Sequence, residues 1–194
     1  MIQYGDKDNW KDIQRGYCFD AATFYQSDGK QPLTFFVPDQ AGSDTGKLVE
    51  SMNEFKPVMV EGRPVAVEHQ VVLRLKPRKV VIVSHDSLNQ SRAYDYVHIA
   101  PINSIKPSDK TKPWFEALME DKHMLFVNYP SPNGIERFID VSQVTSIHKG
   151  LLIKKREAVP ADRMELIQEQ LMDLYDLGVV AEIPASEEDQ ASNQ

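Results

Sequence analysis

Arg78-Lys79-Val80-Val81-Ile82-Val83-Ser84 and, a short way further on, Tyr94-Asp95-Tyr96-Val97-His98-Ile99-Ala100-Pro101-Ile102 decide how this chain folds. The first string is apolar enough to run as a strand through the middle of a core. The second sets Val97 and Ile99 against Tyr96 and His98, and side chains that alternate with a period of two point to opposite faces of a strand. Further toward the carboxy terminus, strands are expected at Met124–Tyr129 and Arg137–Val141, joined through the turn Pro130-Ser131-Pro132-Asn133-Gly134. Val144–Ile147 and Leu151–Ile153 close the β region. The period then changes to 3.6, with Met164, Ile167, Leu171 and Leu174 on one face, Pro160 at the first turn and Gly178 at the stop.

Toward the amino terminus, Pro57–Val60, Val65–Val67 and Val71–Leu75 suggest a meander of antiparallel strands. Leu33–Val37 is one more strand in a stretch rich in Gly, Asp, Ser and Pro. Tyr17-Cys18-Phe19, entered through Arg15-Gly16, is the first. Many short strands finished by one helix point to a mainly β fold, a small half-open barrel with a carboxy-terminal helix packed on it. The expected organisation is one domain over 1–178 with an insertion at 23–74, then an acidic disordered tail at 179–194.

Composition narrows the function classes. At 194 residues the chain can bury a real core, and no apolar run exceeds four residues, far short of the roughly 20 needed to span a bilayer as a helix. Met1 to Arg15 lacks a basic-then-apolar signal pattern, so a cytoplasmic location and no membrane partner are expected. The single cysteine, Cys18, reads as a small core residue. The net charge of -7 is unevenly spread: Leu75–Arg156 carries 13 Lys and Arg against 8 Asp and Glu, whereas the residues after Arg156 carry one Arg against 10 acids. A basic middle can meet phosphate. Lys76, Lys79 and Arg92, beside Tyr94, Tyr96, Tyr129 and Trp114, are residue types that hold and stack single-stranded nucleic acid. No P-loop, dinucleotide fingerprint or zinc-spaced Cys/His set is present, and Ser84-His85-Asp86 cannot converge as a hydrolase triad from consecutive positions.

Three segments in order carry a family pattern. Arg78–Ser84, continuing to Asn89, resembles the R-P-V-x-V-x-S strand of the MazF/PemK family of toxin ribonucleases. Ile99-Ala100-Pro101-Ile102-Asn103-Ser104 is similar to that family's V-x-P-[IV]-T-[ST]. Phe138-Ile139-Asp140-Val141-Ser142-Gln143-Val144-Thr145-Ser146-Ile147-His148-Lys149 is similar to its V-x-x-x-Q-x-x-[TS]-I-D-K. Arg15-Gly16-Tyr17-Cys18-Phe19-Asp20 resembles its opening strand. Gly62-Arg63-Pro64-Val65-Ala66-Val67 is a competing match to the first pattern.

The resemblance implies an SH3-like barrel, a homodimer, that cuts single-stranded RNA with neither metal nor cofactor and is held by an antitoxin protein. Such cleavage turns a 2'-OH on its own phosphate, which requires a base, a proton for the departing oxygen, and positive charge on the phosphorane. Arg78 is assigned the charge, Ser104 with Asn103 the phosphate, and Glu68-His69 or Asp140 the proton transfer. Gln143 and Lys149 join Lys76, Lys79 and Arg92 as RNA contacts. Asn103 stands where the family has Thr, and Asp140, Ser142 and His148 also depart from its pattern; a non-catalytic barrel that binds RNA or a protein is the alternative reading.

Overall fold

The computed structural model describes residues 3–24, 33–40, 42–51, 57–129 and 134–177. In chain order these form β1 (Tyr17–Phe24), β2 (Leu33–Pro38), β3 (Gly46–Ser51), β4 (Val58–Val60), β5 (Arg63–Val65), β6 (Gln70–Val71), β7 (Leu75–Ile82), α1 (Asp86–Asn89), β8 (Tyr96–Ser104), α2 (Pro113–Met119), β9 (Phe126–Tyr129), β10 (Arg137–Asp140), β11 (Thr145–His148), β12 (Leu152–Ala158) and α3 (Ala161–Leu174). The chain divides into two units, one from Ala22 to Arg78 and the other from the residues on either side of it. The 130–133 part of the expected turn, the Gly178 stop and the acidic tail lie outside the described residues.

The flanking residues build a seven-stranded sheet in the order β12-β1-β7-β8-β10-β9, with β11 also on β8. It is mainly β with a carboxy-terminal helix, as the sequence indicates, and its path is open, with β12 and β9 at its ends. The pivot is β8. Its first half pairs with β11, Tyr96 opposite His148 and Ile99 opposite Thr145, and its second half with β10, Ile102 opposite Ile139 and Ser104 opposite Arg137. Along its other edge runs β7, where Val80, Val81 and Ile82 face Pro101, Ala100 and Ile99.

These three β7 residues are fully buried because both faces of the sheet are covered. Val80 and Ile82 join Tyr4, Trp10, Phe19 and Val97 on one side; Val81 joins Cys18, Ala100, Val127, Ile139 and Ile167 of α3 on the other. Each contributes about 2 kcal/mol through burial. Gly16 ties the elements together: its N–H donates to Ile82 O at 2.8 Å and its carbonyl accepts from Val159 N at 2.8 Å. It does so at φ +81°, and a Cβ there would meet Met164 Cγ at 3.3 Å, so glycine is required on both counts.

Ala22–Arg78 holds a three-stranded sheet, β3-β2-β6, and a two-stranded hairpin, β4-β5. The expected meander is therefore corrected: β4 and β5 pair with each other, but Gln70 and Val71 of β6 pair back onto Phe36 and Phe35 of β2. Glu61 and Gly62, at φ 50° and 79°, supply the two left-handed residues a tight hairpin turn needs.

Candidate functional site

Where β8 ends, the sheet brings polar and charged side chains to its rim. Ser104 is exposed and stands directly opposite Arg137, whose other neighbour across the ladder is Tyr129 of β9. Lys79, one residue before Val80 in β7, is in phase with Val81 and so lies on the same face as Ser104, Arg137 and Tyr129. Glu157 of β12 completes the group. Its carboxylate is 3.6 Å from the Lys79 ammonium and accepts from Tyr129 Oη at 3.5 Å, and Tyr129 Oη lies 3.6 Å from Cys18 Sγ.

The electrostatics separate the wet members from the dry ones. Burial pushes the Tyr129 hydroxyl and the Cys18 thiol above their ordinary ranges, so both stay protonated. Glu157's own backbone N–H, and after it the Lys79 ammonium, hold its carboxyl below the usual range against the opposing effect of burial. The cluster therefore offers two cations, a hydroxyl and an ionised carboxylate. Guanidinium and ammonium suit phosphate oxygens, Ser104 can donate to them, and a carboxylate can accept a hydroxyl proton.

Several sequence-derived candidates take other places. Asn103 follows β8's alternation onto the opposite face from Ser104, with Phe138 across from it. The two therefore do not hold one phosphate together from the same side. Asp140 is buried, and its Oδ1 accepts from Ser142 N at 3.1 Å and Ser142 Oγ at 2.5 Å, capping the turn Val141–Gln143. In this arrangement the carboxylate serves as the cap of that turn.

Lys149 is fully buried and donates to the carbonyls of Leu88, Ser91 and Tyr94. An ammonium has three donors, and all three are used. Arg92 is exposed and ion-paired with Asp8, and Gln143 is exposed in the turn after β10. Arg78, partly buried, is the last residue of the Ala22–Arg78 unit and the one before Lys79. Glu68, His69 and Lys76 also belong to that unit, where Glu68 and His69 line a shallow cleft of ≈ 370 Å³ walled by Phe35, Phe36 and Val49. His69 meets the Phe35 ring edge-on at 5.9 Å.

Of the remaining polar motifs, Ser84 and Asn89 form a buried lock. Ser84 Oγ donates to Asn89 Oδ1 at 2.5 Å and accepts from His98 N at 3.0 Å, while Asn89 Nδ2 donates to Ser84 O at 2.8 Å. Among the described residues no group of three or more His, Cys, Asp or Glu side chains is placed to hold a metal ion, and no helix is long and apolar enough to cross a membrane.

Reading along the sequence found the strands that carry Ser104 and Arg137 and named Tyr129 only as a ring that could stack a base, but assigned no role to Arg137 or Glu157. Arg137 stands 33 positions after Ser104 in the chain. Only the register of the ladder makes them neighbours.

An open antiparallel sheet with a terminal helix and a cationic, hydroxyl-bearing rim defines a mainly β protein. The chain matches the model of the PemK-like, MazF-like toxins of type II toxin–antitoxin systems over residues 63–175, and it belongs to that family. No curated protein matches it. A solved MazE–MazF structure from Deinococcus radiodurans aligns with 79% of this chain and 98% of its own, at 14% identity and a TM-score of 0.39. The family match begins at Arg63, inside the Gly62–Val67 string, and takes in the whole Arg78–Ser84 string. Arg63–Val65 is one arm of an exposed hairpin, whereas Val80–Ile82 is a buried central strand.

Proposed function

We propose that this protein is the toxin of a type II pair, that it cuts single-stranded RNA without a metal ion, and that an antitoxin protein neutralises it by covering the RNA-binding face. The observation that carries the reading is the pairing of Ser104 with Arg137 at the end of β8, beside Lys79 and in a chain of this toxin family. Cleavage by the neighbouring 2'-OH needs charge on the phosphorane, and permanently charged guanidinium is the group that supplies it without changing protonation state. Arg78, adjacent in sequence to Lys79, is the residue to which the family pattern assigns that charge, and Arg137 is a second candidate. Ser104 positions the phosphate. Glu68-His69 is the candidate proton-transfer pair from the sequence, and Glu157 is the carboxylate that the rim itself provides.

A non-catalytic, RNA-binding member is the second reading. It is favoured by Asn103 in place of the family's hydroxyl and by the use of Asp140 as a cap.

The deciding experiment incubates the protein with mixed single-stranded RNA in EDTA and analyses the ends produced, alongside Arg78→Ala, Arg137→Ala and Arg63→Ala. Cyclic-phosphate ends that vanish with Arg78→Ala or Arg137→Ala support the nuclease and identify its cation. Loss with Arg63→Ala instead moves the site to the competing string. Intact RNA with retained RNA affinity selects the binding reading.

A further inference from the structure

At Ser104, β8 passes into a segment that nothing above accounts for. Ile105 N donates to Glu136 O at 3.0 Å, so the segment leaves the sheet beside the residue that precedes Arg137. Residues 105–115 carry Lys106, Lys110 and Lys112 against the single acid Asp109, and they end in the adjacent rings of Trp114 and Phe115. Lys110 returns to the same place and pairs with Glu136. Three cations and two rings therefore start at the Ser104 and Arg137 pair and lead away from it.

The segment is built to hold its shape. Asp109 is buried and accepts from Lys106 N at 2.9 Å and Lys112 Nζ at 2.7 Å, so its one acid points inward while the lysine side chains stay exposed. Pro107 and Pro113 fix φ at two further places. Ion pairs as exposed as those of Lys110 and Lys112 are weak and exchange readily for another anion. Trp114 packs at 5.5 Å on both Phe126 and Phe138, yet it is only half-buried, as is Phe115. The Lys112 and Lys110 ammonium groups stand 5.9 Å from the centres of these two rings. A ring already fixed by packing gives up little freedom when a base stacks on it.

We propose that residues 106–115 are an arm that grips the RNA strand flanking the cut, with phosphates against Lys106 and Lys110 and a base stacked on Trp114. Cations interleaved with aromatic rings hold a single strand by its backbone and its π-faces, without reading one sequence. An acidic peptide would use the lysines and leave the rings idle, so the combination favours nucleic acid. This assignment rests on RNA as the ligand of the rim and adds the residues that hold it beyond the rim.

The chain has two tryptophans, and Trp10 is 1% exposed, so a base that quenches tryptophan emission reports on Trp114. The test titrates the full chain with a 2'-fluoro RNA decanucleotide of mixed sequence, which has no 2'-hydroxyl and is bound without being cut, at several salt concentrations. Saturable quenching is expected in the wild type and none in Trp114→Phe, whose remaining emission comes from Trp10. The Lys106→Gln/Lys110→Gln variant, altered only at exposed side chains, is expected to keep its circular dichroism spectrum and lower the slope of log affinity against log salt by about 1.4, at about 0.7 per phosphate contact on a single strand. Binding without quenching, or with an unchanged slope, overturns the proposal and leaves the nuclease reading standing, because cleavage of unmodified RNA in EDTA is scored separately on the same preparations. A wild type that binds no decanucleotide also overturns it, and the cleavage score then tells whether the RNA reading falls as well. Equal quenching by poly-glutamate overturns it in favour of an acidic peptide.

Discussion

The Lys149 ammonium stands 4.0 Å from the centre of the Trp10 ring, and the carbonyls of Leu88, Ser91 and Tyr94 accept its three hydrogen bonds. A buried cation is tolerated only when its donors are satisfied, and here one side chain ties β11's end, the loop before β8 and the amino-terminal turn together. Burial pulls its pKa down, and the Asp95 carboxylate opposes that shift without reversing it. Lys149→Met leaves three carbonyls without their donor, and a loss of about 3 kcal/mol in urea unfolding is expected. RNA affinity measured well below the melting temperature should be unchanged. A selective loss of RNA affinity at full stability would return Lys149 to the nucleic-acid surface.

Asp140 offers a cleaner separation of capping from catalysis. Its carboxylate accepts from both Ser142 N and Ser142 Oγ, and Asn can accept in the same geometry. Asp140→Ala should cost about 1–2 kcal/mol, the usual value of a lost cap, and Asp140→Asn a fraction of that. If RNA cleavage is observed, Asp140→Asn should retain it within a few-fold, whereas a collapse of cleavage at unchanged stability would show proton transfer.

His123 predicts a pH dependence of stability. Its Nδ1 accepts from Leu125 N at 3.1 Å and Phe126 N at 3.0 Å, and its ring stacks on Phe126 at 4.2 Å. Burial lowers its pKa, and Asp140 opposes that shift without reversing it. The folded state therefore binds the proton less readily than the unfolded chain, whose imidazole titrates near about 6.5. Above that pH the contribution to stability is complete. As pH falls through it the unfolded state takes up protons first, so stability declines until the folded-state pKa is passed. Urea melts at neutral and mildly acidic pH should show this decline in the wild type and a shallower one in His123→Asn.

How far the sequence carried the reading depends on which residues did the specifying. Val80–Ile82 and Val97–Ile102 announced central strands because their alternation and apolarity are local properties. Helix α3 was equally plain from Met164, Ile167 and Leu171, although Leu174 is exposed at its frayed end. β3 was missed because Gly46-Lys47-Leu48-Val49-Glu50-Ser51 has no strong pattern, and it is a strand through its six-residue ladder with β2. α2 was missed because seven residues, Pro113–Met119, are too few for a period; it is held by Trp114 packing at 5.5 Å on both Phe126 and Phe138. β1 runs past Asp20, which looked like its end, since Arg156 on the neighbouring strand pairs with that carboxylate. The rim cluster was least legible, because Arg137, Tyr129, Lys79 and Glu157 meet only through registers that join four separate strands.

The rim predicts a division of labour that kinetics can read. Ser104 and Arg137 share a face, and Asn103 lies on the other, so the two faces can be probed independently. If the phosphate sits with Ser104, Ser104→Ala and Arg137→Ala should each lower kcat by about 10²–10³, the usual effect of removing a donor to a developing oxyanion, with little change in KM. Arg137→Lys should recover only part of that loss, because an ammonium keeps the charge but not the fork. Asn103→Thr, which restores the hydroxyl of the family pattern, should then leave kcat unaltered. If the phosphate sits on the opposite face, Asn103→Thr should raise kcat and Ser104→Ala should be silent, which would transfer the phosphate site to Asn103 and leave Arg137 as a strand-edge cation.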